Sequence, residues 1–295
     1  MASAKAGSDP RLAAELPAFL REVRIDYGDI PEFLPDAVVR GVLYEASRSE
    51  ALLTVPDIAR LHIRRNRVTV SPLARDIAAA LGPYLRQTPL MVLMLLNGGF
   101  GANAAAVAGP DGAVVLIGRT VSGKSALAAA LMKRGLRLLA DDNTPIAIGP
   151  DGTAQVFPVW PEMVLWREAL DALLGGDVPW LGPADGEVPR RAVAPARYCD
   201  RAMPLKRVYV LHPLRLESDV RQSAAAGFDT IVHGTLFPYQ SELTAALVDP
   251  AALLRLYGGI DGGRTQMLVF PQHDLAEMNG LADRILEDCA WSSAI

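Results

Sequence analysis

The sequence predicts an α/β protein built around a phosphate-binding loop, with a small α+β unit ahead of it. Three observations carry that expectation. The stretch Gly118-Arg119-Thr120-Val121-Ser122-Gly123-Lys124-Ser125 has the spacing of a glycine, four residues, then Gly-Lys-Ser. It follows an apolar run, Ala113 to Ile117, and opens an alanine-rich helical pattern. Beyond it, strand-like and helix-like runs succeed one another as far as Leu286. At ordinary residue usage four fixed positions in a chain of 295 residues would match by accident roughly 1% of the time. Lysine is also scarce, with only Lys5, Lys124, Lys133 and Lys206 among 29 basic residues, and one of the four stands where the motif needs it.

Composition bounds the rest. Half of the residues are apolar, 21% are charged, and the net charge is −4, which describes a soluble globular protein rather than one whose main partner is nucleic acid. The longest apolar stretch, Pro89 to Leu96, is far short of a membrane span, and the N-terminal residues lack the basic-then-apolar order of a secretory signal. A cytoplasmic location is expected. Cys199 and Cys289 are too few and too isolated for a disulfide framework or a zinc site. We place an N-terminal α+β unit at residues 1–97, its first ten residues disordered, and a nucleotide-binding domain at residues 98–295, divided at Gly98-Gly99-Phe100-Gly101.

In chain order, Arg11 to Arg24 has helical spacing in Leu12, Leu16, Phe19, Leu20 and Val23. Ala37 to Glu45 reads as a strand. Leu61 to Val70 alternates on both sides of an Arg-Asn turn and predicts a hairpin. Its inward face would hold Leu61, Ile63, Val68 and Val70, and its outward, solvated face His62, Arg64, Arg65 and Arg67. Ala74 to Leu96 is buried helix interrupted near Pro89. Ala102 to Ala108 and the strand into the loop flank Gly109-Pro110-Asp111-Gly112, a hairpin signal. The helix after the loop runs to about Lys133 and stops at Gly135. A short buried strand, Leu136 to Ala140, ends in Asp141-Asp142. A helix of about ten residues carries the chain roughly 15 Å away from the loop. A strand of about five residues brings it roughly 16 Å back, so the two carboxylates return to the level of a bound phosphate.

Further on, Pro145 to Ile148 and Ala154 to Phe157 form a second hairpin. Pro158 to Leu174 contains a helical run, Asp177 to Asp200 reads as loop, and Leu205 to Leu211 as buried strand. Glu242 to Leu256 is helix, Gln266 to Phe270 strand, and Asp274 to Leu286 a closing helix.

Backbone N–H groups of the loop and the start of its helix surround a phosphate; Lys124 reaches the terminal phosphates and the Ser125 hydroxyl holds Mg²⁺. Val121, Ser122, Gly123 and Ala126 belong to the same cradle as Gly118, Arg119 and Thr120. An acid pair at a strand end beside such a loop has two uses: one carboxylate can support Mg²⁺ with Ser125, and the other can take a proton from an attacking hydroxyl.

Gly118 to Ser125, followed by Ala126 to Leu131 and then Arg134-Gly135-Leu136-Arg137-Leu138-Leu139-Ala140-Asp141-Asp142, resembles the catalytic core of bacterial HPr kinase/phosphorylase and its smaller serine-kinase relatives. The likeness extends more weakly to Phe157-Pro158, Leu165-Trp166 and Pro204 to Leu211. It covers about residues 95 to 290 and leaves the first ninety without a motif. It implies a phosphoenolpyruvate-carboxykinase-like mixed sheet, ATP and Mg²⁺, and phosphoryl transfer to a serine hydroxyl. By the family's pattern Asp141 is the base, Asp142 supports the metal or the base, Lys124 neutralises the β/γ-phosphates and Ser125 ligates Mg²⁺. The family has a histidine on the strand before the loop, and the matching place here holds Asn103. An amide hydrogen-bonds a phosphate but does not take up a proton at neutral pH, so a one-way kinase is expected rather than a phosphorylase.

Some members of the family modify ribosomal peptides, including the C-terminal serine of lasso peptide precursors, and the size, the extra N-terminal unit and Asn103 suit such a tailoring kinase. The expected partner is therefore a peptide or protein with a serine hydroxyl, with no nucleic acid and no membrane, and a homo-oligomer is left open. A nucleotide-responsive binding module and a small-molecule hydroxyl kinase are the alternatives. Arg190, Arg191, Arg197 and Arg207 are available to clamp phosphate or to sit solvated at the surface.

Overall fold

The structure, a computed structural model, describes residues 10–118, 121–149, 151–175, 178–183, 190–193, 195–214, 238–262, 265–271 and 275–292. It is a mixed α/β chain that divides into two compact units, Met1–Gly101 with Leu236–Leu256, and Ala102–Thr235 with Tyr257–Ile295. The division falls four residues beyond the expected boundary at 97. It also returns residues 236–256 to the first unit.

In the first unit the expected helix over Arg11 to Arg24 is only α1 (Pro10–Ala13) and a 3₁₀ turn, Ala18–Leu20, after which the chain is already the strand β1 (Arg24–Tyr27). Pro17 lies between them, and the periodic apolar residues are buried all the same, Leu12, Leu16, Leu20 and Val23. A proline removes the amide that would continue the helix, so the apolar spacing is used by two short turns instead. The expected strand over Ala37 to Glu45 is likewise two, β2 (Val39–Arg40) and β3 (Tyr44–Ala46). Gly41 turns the chain between them, donating its amide to the Tyr44 carbonyl at 2.8 Å.

With β4 (Glu50–Val55), β5 (Ala59–Arg64) and β6 (Arg67–Pro72) these form a sheet in the order β1-β6-β5-β4-β3-β2. β5 and β6 are the expected hairpin, in the register Leu61↔Val70 and Ile63↔Val68, with all four of these side chains buried. On the other face Arg65 and Arg67 are exposed, as expected, but His62 is not. His62 is 8% exposed and paired through Nε2 with Glu50 at 2.5 Å, and Thr69 beside it is buried too. Arg67 is held by Asp26 at 3.0 Å. Two side chains of that face, His62 and Arg67, thus meet a carboxylate on a neighbouring strand, which sequence alternation cannot reveal.

Helix α2 (Ala78–Leu85) and helix α3 (Thr88–Leu96) divide the expected helical stretch at Arg86-Gln87. α3 is apolar all round and all but its first residue are buried, as such a helix must be. Helix α6 (Pro238–Leu247) packs on α3. The helix expected as one piece from Glu242 breaks at Asp249, whose carboxylate accepts the amides of Ala251 (2.8 Å) and Ala252 (3.1 Å) at the start of helix α7 (Pro250–Asp261).

The second unit is organised around five strands: β7 (Gly99–Ala108), β8 (Ala113–Ile117), β9 (Arg137–Ala140), β15 (Met203–Leu214) and β16 (Thr265–Pro271). Their order is β16-β15-β8-β7-β9. β8, β15 and β16 run parallel, and β7 is antiparallel to both β8 and β9. β10 (Asn143–Ile148) and β11 (Ala154–Val156) extend the sheet from β15 as the second expected hairpin. The segment from Pro158 opens with a strand, β12 (Met163–Trp166), before helix α5 (Arg167–Leu173). The expected loop over Asp177 to Asp200 contains two more strands, β13 (Trp180–Pro183) and β14 (Arg190–Val193), forming the sheet β12-β14-β13. Pro183 falls in β13, an edge strand where a missing ladder amide is tolerated, while the central strand β14 contains no proline.

One face of the five-stranded sheet holds helix α4 (Lys124–Lys133), which packs on helix α8 (Leu275–Asp288). Ala105, Val107, Val114, Leu116, Leu138 and Tyr209 from the strands meet Leu127, Leu131, Leu281 and Ile285 from the helices. Alternate strand residues share a face, so Asn103 and Gly118 project from the same side as α4. The end of α4 is a left-handed stop at Gly135, φ +101°. The Leu136 amide donates to the Leu131 carbonyl at 3.3 Å and the Gly135 amide to Met132 at 3.0 Å. Gly135→Ala is expected to lower stability by about 1–2 kcal/mol, because a Cβ at that φ collides with the backbone. Urea melts with an unchanged slope and a lowered midpoint would show it.

Candidate functional site

Everything expected at the site lies in the second unit, except that Arg119 and Thr120 fall outside the described residues. β8, fully buried, delivers the chain to Gly118, and α4 begins six residues later at Lys124. Glycine is required at 118: a Cβ there would lie 2.4 Å from Ser122 Oγ and 3.1 Å from the Leu211 carbonyl. Two successive curls follow, Val121 at φ +61° and Gly123 at φ +92°. Glycine tolerates that conformation, but a β-branched valine is strained in it, and such strain persists where the surroundings over-determine the backbone. Val121 is nonetheless 56% exposed, so its conformation is not imposed by side-chain packing.

Lys124 is buried and its ammonium donates to the Gly118 carbonyl at 2.9 Å, closing the loop on itself. Burial draws its pKa below the ordinary lysine value, opposed by the charges of Asp141 and Asp142. Ser125 Oγ donates to Asp141 Oδ1 at 2.8 Å, so helix start and strand end do meet as the helix-out, strand-back arithmetic required. The other oxygen of Asp141 accepts the Val164 amide at 3.0 Å. Burial pushes the Asp141 carboxyl up to about 6, against the two hydrogen bonds; the neighbouring charge of Asp142 adds to the rise and Lys124 opposes it.

Asp142 is exposed and left-handed, φ +69°. Its carbonyl accepts the Ala104 amide at 3.1 Å, while Thr144 Oγ1 donates to the Ala104 carbonyl at 2.8 Å. The acid pair is thus a tight turn that reverses the chain onto β7 one residue from Asn103. Ser125, expected with Asp142 at a metal, donates its hydroxyl hydrogen bond to Asp141. Ala126 follows in the first turn of α4, partly buried against the core.

The chemistry of the site fits an anion with a hard cation. Ser122 Oγ and Asn103 Oδ1 are buried without a hydrogen-bond partner among the described residues. Both belong to the polar rim of the loop, where unmade hydrogen bonds are costly unless a ligand makes them. Because the Ser125 hydroxyl directs its hydrogen at Asp141, its lone pairs remain available to a cation. Oxygen donors from Ser125, Asp141 and Asp142 are the type Mg²⁺ takes. Among the described residues there is no cluster of three or more His, Cys, Asp or Glu that would hold a metal by protein ligands alone.

The Val164 amide is the site member that sequence inspection misses, since a backbone N–H carries no residue-type signal. Of the four arginines, Arg190 and Arg191 lie on β14, with side chains outside the described residues. Arg197 is exposed, and Arg207 is committed to Asp288 at 3.3 Å. Among the described residues no single helix is long and apolar enough to cross a membrane. No protein-family model matches the chain, and none of the curated proteins compared with it matches.

Proposed function

We propose that this protein is an ATP- and Mg²⁺-dependent kinase of the HPr kinase-like, phosphoenolpyruvate-carboxykinase-like fold, phosphorylating a serine hydroxyl of a peptide or protein. The observation that carries the reading is the Ser125–Asp141 contact at 2.8 Å, beneath a loop whose Lys124 and Gly118 close on each other. A phosphate loop alone would serve any nucleotide hydrolase; a buried carboxylate brought to its serine, with a pKa near neutrality, supplies a proton acceptor there.

In the reaction the acceptor's seryl oxygen forms a new bond to the γ-phosphorus, and its proton passes to the Asp141 carboxylate. The bond from that phosphorus to the β,γ-bridging oxygen breaks, and ADP departs with the electron pair. Mg²⁺ bound with the nucleotide would neutralise the phosphate oxygens, with Ser125 and Asp142 as its protein-side partners. Lys124 and the loop amides hold the phosphates, and Asn103, at the edge of β7, offers a neutral hydrogen bond. With no histidine at position 103 there is no second proton carrier for the reverse reaction, so transfer runs toward the phosphoserine product. A peptide made by the ribosome and bearing a C-terminal serine, as in lasso precursors, is the acceptor this reading favours.

Incubation with γ-labelled ATP, Mg²⁺ and serine-terminated peptides tests it: label in a peptide supports the kinase, and tight ATP binding without transfer to any acceptor overturns it. Lys124→Ala is expected to weaken ATP binding at least tenfold and to lower transfer further, since an ammonium on phosphate is a charge-assisted contact. Nucleotide titration alongside turnover measures both.

A further inference from the structure

We propose, on the basis of the kinase reading above, that the free edge of β12 is where the acceptor peptide docks, as a short added strand. β12 pairs with β14 on one side, in the register Val164↔Ala192 and Leu165↔Arg191, and with no strand on the other among the described residues. Its buried residues, Met163 and Leu165, face the core under α4, so Val164 and Trp166 stand on the opposite face. In an antiparallel ladder the backbone groups of alternate residues point to opposite edges. The Val164 amide points outward, because it is the amide that holds Asp141 at 3.0 Å. The Val164 carbonyl and the Trp166 amide therefore point to that same outer edge.

That pair has the spacing of a parallel bridge. One residue of an extended peptide donates its N–H to the Val164 carbonyl and accepts the Trp166 N–H at its own carbonyl. Antiparallel addition through Val164 is closed off, since Asp141 already occupies the Val164 amide. The consequence is a fixed direction of approach, with the proton acceptor standing where the next ladder bond would be. A seryl side chain beside the clamped residue is thereby brought to Asp141. Trp166, 42% exposed, offers its indole to the side chain of a neighbouring acceptor residue, so the occupant is an extended peptide with an apolar residue close to its serine. A small-molecule acceptor would leave the paired carbonyl and amide without a role.

The test uses the full-length protein with ATP, Mg²⁺ and a serine peptide carrying leucine near the serine, the same peptide N-methylated at each amide in turn, and an aspartate-for-leucine version. One N-methyl position is expected to raise the peptide KM about tenfold or more, the loss of one good backbone contact. Trp166→Ala is expected to raise the KM for the leucine peptide by a similar factor and to erase its preference over the aspartate peptide. The KM for ATP and the melting temperature should be unchanged, and Trp166→Phe should restore most of the loss. Transfer that proceeds with the same KM for every N-methylated peptide, or for Trp166→Ala, overturns the docking edge and leaves the kinase reading standing. Absence of transfer to any hydroxyl acceptor overturns both.

Discussion

Asp141→Asn is expected to lower phosphoryl transfer by about 10²–10⁴-fold, the usual worth of a positioned general base, while leaving ATP binding within a few-fold of the parent. The same substitution should make the protein more stable at pH 7.5. In the folded protein the carboxyl is pushed up to about 6 from an ordinary 3.8. A carboxyl raised in this way binds its proton more tightly in the folded state, so its contribution to stability is full below about pH 4. That advantage is lost as pH rises from about 4 through about 6. Above pH 6 the buried charge costs roughly 3 kcal/mol, at about 1.4 kcal/mol for each of some two units. This is an upper bound, because Asp141 keeps some solvent exposure.

Asparagine removes the charge but keeps an oxygen for the Ser125 hydroxyl or the Val164 amide. Melting curves at pH 5 and 7.5 should show a stabilisation that is larger at the higher pH. The parent's kcat/KM should fall as pH drops through about 6, since only the ionised carboxylate accepts a proton. A variant that kept parental turnover would remove Asp141 from the chemistry, whatever its effect on stability.

The second large effect is expected far from the reacting groups. Arg134→Ala should destabilise the protein by about 3 kcal/mol, within the range for breaking a buried hydrogen-bond network. The Arg134 guanidinium is 8% exposed and makes five hydrogen bonds: two to Asp283, one to the Ala130 carbonyl, and two to Asn279, at its side chain and its carbonyl. It thereby ties the end of α4 to α8, with its charge at the negative end of the α4 dipole. Losing it takes a donor from the Ala130 carbonyl in the last turn of α4. Asp283 is an exposed partner, with 60% of its side chain in solvent, and its loss leaves the guanidinium its bonds to Ala130 and Asn279, so Asp283→Ala should cost about 1 kcal/mol. Arg134→Lys should not rescue, since a single ammonium cannot serve five acceptors spread around a planar fork. Denaturant midpoints of the three variants check the ranking. Equal effects of Arg134→Ala and Asp283→Ala would show that the ion pair, not the fork, carries the stability.

Much of the architecture from Ala113 to Asp142 could be read from residues because each feature is local. The apolar run into Gly118, the Gly-Lys-Ser opening a helix, Gly135 as its stop and the strand ending in Asp141-Asp142 all depend on short-range sterics and a fixed rise per residue. Hairpins at Gly109 to Gly112 and Gly149 to Gly152 were legible for the same reason. The readings that differ fail where a partner distant in sequence decides. Pro17 and Asp249 break helical patterns whose apolar spacing looked continuous. His62 and Arg67, alternating like solvent-facing residues, are taken up by Glu50 and Asp26 on adjoining strands. Strands β13 and β14 form because β12 gives them an edge to pair with, in a segment whose prolines and arginines read as loop.

By itself, then, the sequence determined that the loop from Gly118 to Ser125 and two carboxylates stand at one level of an α/β sheet. Only the tertiary structure decided which carboxylate meets the loop. Asp141 turns to Ser125 and to the Val164 amide, whereas Asp142, curled to φ +69°, faces solvent. Two adjacent aspartates are equivalent as letters. They differ only once a turn sends their side chains apart and a strand arriving from 23 residues later supplies the amide that one of them accepts.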